Sequence, residues 1–123
     1  ELIHSDKKTK LLNQISKLQD ELKVVENSSN LLMKATLKKR MGILYRQLGD
    51  SYSKSIEFLE SALSYSMAVG DVKLQIDIYG ELALSYFKDG QLAKAIEYKK
   101  HCLNTIKQNG LEYQAWEKTL ADF

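Results

Sequence analysis

Proline is absent from all 123 residues, and glycine occurs only six times. Proline breaks helices and punctuates loops, so a chain of this size without any is expected to be all-α, with turns built from Gly, Asn and Asp. Cysteine is almost absent too: Cys102 alone cannot form an internal disulfide, which excludes a disulfide framework and leads us to expect a reducing, intracellular setting. No apolar run approaches the roughly 20 residues that cross a bilayer, and no signal-peptide hydrophobic region is visible. An excess of one charge is also missing, with 18 Lys and Arg against 16 Asp and Glu, so no strong field marks an obligate nucleic-acid or membrane partner. The length suits one domain with its own core. The chain starts at Glu1 rather than Met and ends at Phe123 within a helical pattern, so a longer parent protein is expected.

Residues equipped for catalysis are nearly as scarce. The histidines are His4, near a terminus, and His101, beside Cys102. Neighbours on a helix point about 100° apart, which makes His101 and Cys102 a poor base and nucleophile pair and leaves Cys102 as a small core residue. Two His and one Cys cannot complete a tetrahedral metal site without scattered carboxylates. The glycine pairs follow helices instead of preceding them, the wrong order for a phosphate loop. We therefore expect no enzymatic activity, no metal, no cofactor and no small-molecule substrate. Asn27-Ser28-Ser29 is formally a glycosylation sequon, read here as chance in a polar loop. The densest basic run, KATLKKR at residues 34–40, is expected to spread round a helix axis, and no aromatics interleave it for base stacking.

What the chain has in abundance is helical periodicity. Leu11, Ile15, Leu18, Leu22 and Val25 are spaced 4, 3, 4, 3 and line one face of a first helix, ended by the polar loop ENSSN. Helices are then expected at about 31–48, 53–69, 73–88 and 92–108, with another opening near Glu112. Gly49, Gly70, Gly90 and Gly110 follow these segments, where a left-handed residue closes a helix without strain. The segments echo one another: Gly42, Tyr45 and Gly49 correspond to Ala83, Tyr86 and Gly90, and KSIEF at Lys54 corresponds to KAIEY at Lys94. A period of about 40 residues with two helices per unit is the mark of a helical repeat array.

The recurring residues (Gly42 and Ala83, Tyr45 and Tyr86, Gly49 and Gly90, Ser55 and Ala95, Ala62 and Cys102) make residues 31–120 resemble tetratricopeptide repeats in a longer form. The resemblance implies a right-handed superhelical array of antiparallel helix pairs, with units at 31–70 and 71–110 and the start of a third at 111–123. Residues 1–30 would form an amphipathic helix and loop packed on it. The stretch GQLAKAIEYKKHCLNTIKQNGLEYQAWEKTL is similar to the early repeats of the Tonsoku and Tonsoku-like family, where an ALxYQKKHLxLA helix precedes ExQRAxxxLG. Ala115 and Trp116 do not reproduce the Arg-Ala pair of that pattern, and Ala121 and Asp122 stand where Gly and Arg are expected. Spindle-orientation adaptors of the LGN and Pins type carry similar repeats.

Such arrays curve, and the first helix of each pair lines the concave side, a surface suited to an extended peptide or a partner helix. Carried over from the repeat family, the groove positions are Lys39, Ile43, Arg46 and Gln47, then Asp77, Leu84, Phe87 and Lys88, then Lys118 and Asp122. The carboxylate clamp of chaperone adaptors is not expected, since Ile43 and Glu81 occupy its asparagine positions. The Tonsoku resemblance implies a nuclear chromatin and DNA-repair scaffold whose ligand is a histone tail or a repair factor. The spindle-adaptor resemblance implies another, cytoplasmic, protein ligand. A third alternative is self-association, through the heptad-like face of the first helix or an exposed array end. Trp116 is expected between the second and third units.

Overall fold

The computed structural model describes residues 2–111, which hold five helices and no strand: α1 (Leu2–Glu26), α2 (Leu31–Leu48), α3 (Tyr52–Val69), α4 (Val72–Lys88) and α5 (Leu92–Gln108). The third unit, with Lys118, Asp122 and Trp116, lies outside the described residues. α2 to α5 fall within a residue of their expected bounds. α1 instead begins well before Leu11, because residues 2–10 contain neither Gly nor Pro to stop a helix propagating backwards. Caps explain the starts: Asn30, Ser51 and Asp71 each accept a hydrogen bond from a backbone N–H in the first turn of α2, α3 and α4. The ends rest on the turn glycines, all with positive φ, Gly49 at 78° and Gly70 at 79° directly capping α2 and α3.

Helices pack on their chain neighbours, α2 on α3 and α4 on α5 most extensively, then α3 on α4 and α1 on α2, while α2 and α4 meet along a narrower line. The pairing places equivalent residues in equivalent contacts. Tyr45 stacks on Phe58 across α2 and α3, with centroids 5.5 Å apart and planes 8° from parallel. One unit later Tyr86 stacks on Tyr98 across α4 and α5, at 5.4 Å and 9°. The aromatic repeat seen in sequence is therefore a repeated stacking contact across each pair. Gly42 permits a close approach of α2 and α3, since a Cβ there would sit 2.6 Å from Leu59 Cγ.

The apolar stripe of α1 is used inside the chain. Ile15, Leu18 and Leu22 are buried with Leu37 and Met41, against Tyr45. One junction further on, Ile56 and Leu59, with Leu63 beside them, pack against Ile78, Leu82 and Tyr86. Every member of the second set lies 41 residues beyond its counterpart in the first. α1 thus meets α2 in the register in which α3 meets α4, and its heptad-like face is not left open for a second copy.

Candidate functional site

The expected groove residues fall on α2 and α4, but the structure divides them into two groups. The Arg46 side chain is 8% exposed, and its guanidinium donates to Glu81 Oε1 at 2.6 Å, to the Glu81 carbonyl at 3.2 Å and to Ser85 Oγ at 3.1 Å. Arg46 was expected to face a ligand; it is instead a tie between α2 and α4. Its long side chain reaches the neighbouring first helix, where a carboxylate and two further acceptors converge. Lys39 and Asp77 form a second crossing at 3.8 Å. Burial pushes the Asp77 carboxyl above its ordinary range, with Lys39 acting the other way.

A buried polar chain continues from Arg46. The Ser55 hydroxyl donates to the Gly42 carbonyl at 2.7 Å and lies 2.8 Å from Ser85 Oγ. With the Ser55 proton committed to Gly42, Ser85 donates to Ser55 and accepts from Arg46, so one proton order satisfies all of them. Ser55 and Ser85 were not among the expected groove residues, and Glu81 entered only as the residue standing at an asparagine position of the clamp. Ser55 reads in sequence as a small crossing residue, and its equivalent Ala95 has no hydroxyl, so no repeat signal marked it.

Ile43, Gln47, Leu84, Phe87 and Lys88 make up the second group, which remains accessible. Ile43 and Gln47 line a cleft of about 400 Å³ between α1 and α2, with Leu18 and Leu44 on its floor and Gln14, Lys17, Glu21 and Arg40 on its walls. Gln47 also borders a second cleft of about 430 Å³, shared with Lys7, Arg46, Tyr52 and Lys88. Leu84 is half-buried on α4 and Phe87 is exposed near its end. The basic run spreads as expected: Lys34 and Lys38 lie 5.6 and 5.4 Å from the Tyr65 ring centroid, Lys39 faces Asp77, and Arg40 faces α1.

Cys102 is fully buried, its thiol donating weakly to the Ile76 carbonyl at 3.6 Å. Burial, then the nearby Asp77, pushes the thiol up to about 11, which keeps it protonated and unreactive at neutral pH. His101 points elsewhere, stacked on Tyr79 with centroids 5.6 Å apart. The two side chains do not form a catalytic pair. Among the described helices none is long and apolar enough to cross a membrane. Compared with family models, with curated proteins and with solved structures, the chain matches none.

Proposed function

We propose that this chain is a non-catalytic protein-interaction module that holds a peptide or partner helix on the face formed by α2 and α4. The observation that carries the proposal is that α2 and α4 lie side by side, tied by the Arg46–Glu81 and Lys39–Asp77 crossings, with Ile43, Gln47, Leu84 and Lys88 still accessible beside them. A surface whose backbone spacing is set before binding spends little affinity on ordering itself. The proposal treats the tandem pairs as tetratricopeptide-like units of a superhelix, with α1 covering the first unit.

The Tonsoku resemblance extends this to a nuclear scaffold that engages a histone tail or a replication-repair factor; the spindle-adaptor resemblance extends it to a different protein ligand. Affinity capture from nuclear and cytoplasmic extract tests both. The original chain is compared with a Leu84→Glu/Lys88→Glu variant, whose helix content is checked against the original by circular dichroism. Capture of histones or replication factors that the variant loses supports the first extension, and loss of a spindle-orientation partner supports the second. A protein profile identical in the two samples sinks the α2 and α4 face as the binding surface. Arg46 is left intact, because its loss would disturb the fold.

A further inference from the structure

In this fold the second helix of a pair always carries a first helix against it: α3 carries α2, and α5 carries α4. α1 has the register of a second helix, yet among the described residues no helix occupies the corresponding place. That place is the cleft between α1 and α2. We propose that this cleft seats an acidic amphipathic helix from a partner protein, lying parallel to α2 in the position a first helix would take. The inference rests on the interaction-module reading but moves the ligand off the α2 and α4 face.

Three observations define the occupant. The first is shape. Leu18, Ile43 and Leu44 form an apolar floor between two helical walls, matching a ridge of apolar side chains at helical spacing. From Gln14 to Glu21 along α1 the cleft is about 10 Å long at the helical rise of about 1.5 Å per residue, roughly two turns of helix, and at Gln47 it meets a further cleft lined by Lys7, Lys8 and Leu11 along which a longer helix can continue.

The second is the chemistry of the α1 wall. Where α3 and α5 meet their own first helices they present small buried residues, Ser55 against the Gly42 carbonyl of α2 and Cys102 against the Ile76 carbonyl of α4, and their repeat equivalents Ala95 and Ala62 are small and buried too. The register places Gln14 and Glu21 at those positions in α1, and both line the open cleft. Long polar side chains prevent the close backbone approach seen at Gly42. The occupant therefore rides higher than a first helix of this chain would, with a wetter contact typical of a separable partner.

The third is charge. Lys17 and Arg40 stand on opposite walls, and Gln47 joins this cleft to the one bordered by Lys7 and Lys88. None of these four cations takes part in the ion pairs of the described residues, and the only carboxylate on the walls is Glu21. A basic segment would meet uncompensated like charge here, whereas acids flanking an apolar ridge would meet partners on both sides.

The test is a display library of 18-residue helix-forming peptides, randomised at surface positions, selected against the full chain. Enriched peptides are expected to be acidic, with apolar residues at i, i+3, i+4 and i+7 spacing. Their affinity should fall roughly tenfold or more in a Lys17→Glu/Arg40→Glu variant, as two exposed ion pairs turned repulsive imply. A Lys100→Glu/Lys107→Glu variant, with the same change of net charge on α5, should bind as the original does. Lys17, Arg40, Lys100 and Lys107 are all exposed, so circular dichroism should show unchanged folding. Enrichment of basic or extended peptides, no enrichment at all, or equal loss in the two charge variants overturns the inference. Binders lost on Leu84→Glu but indifferent to Lys17→Glu/Arg40→Glu also overturn it while upholding the α2 and α4 face.

Discussion

Replacing Gly42 by alanine is expected to destabilise the chain, although alanine is the better helix former. The added Cβ would lie 2.6 Å from Leu59 Cγ, 2.9 Å from Leu59 Cδ2 and 3.0 Å from the Ser55 carbonyl oxygen. Leu59 is fully buried and the nearest contact is its Cγ, the branch point next to its Cβ and not the far end of a flexible chain, while the Ser55 oxygen belongs to the α3 backbone. Relief therefore requires α2 and α3 to move apart, which stretches the 2.7 Å bond from Ser55 to Gly42 and loosens the Tyr45–Phe58 stack. Overpacking of this kind costs about 2–3 kcal/mol, and removing a mid-helix glycine returns about 1 kcal/mol, for a net loss of about 1–2 kcal/mol. Urea unfolding followed by circular dichroism should show a lower midpoint with unchanged slope, and thermal unfolding a drop of roughly 4 °C per kcal/mol. In a Leu59→Ala background the obstruction is largely gone, so Gly42→Ala should become neutral or stabilising. An alanine variant more stable than the original in the intact background would refute close helix approach at Gly42.

Arg46→Met should cost about 2–4 kcal/mol in the same urea assay, since it leaves the Glu81 carboxylate without its cation and Ser85 without its donor at a largely buried position; an unchanged midpoint would contradict the tie. Cys102 should react with a thiol reagent at pH 8 far more slowly in the native chain than in denaturant, because burial raises its thiol to about 11; equal rates would place it at the surface. Burial first, and then Glu60, whose carboxylate accepts from its hydroxyl, raise Tyr98 to about 12 in the folded chain against 10.0 for a free tyrosine. The folded state therefore holds a proton that the unfolded state releases, so this stabilisation is complete below pH 10 and lost as pH rises from 10 to 12. Tyr98→Phe should flatten that part of the stability profile relative to the original, and parallel profiles would refute the assignment.

Local physics made much of this legible in advance. The absence of proline, the 4, 3 apolar spacing and the glycines after each segment are properties of single helices and single turns, so α2 to α5 and their ends follow from short stretches read alone. The echo of Tyr45 and Gly42 in Tyr86 and Ala83 is a one-dimensional record of a repeated packing unit, and the stacks on Phe58 and Tyr98 are its physical form. The fate of the groove residues was different. Whether Arg46 faces a ligand or Glu81, whether Lys39 is free or held by Asp77, and whether Ser55 is merely small or part of a buried proton chain depend on groups 30 or more residues apart in five of the contacts involved. Spacing along one helix carries no information about those distances. The same holds for α1, whose stripe in isolation suits a coiled-coil seam as well as an internal face. Only its seating on Leu37, Met41 and Tyr45, in the register of α3 on α4, decided between them, because burial belongs to the pair of surfaces and not to either sequence by itself.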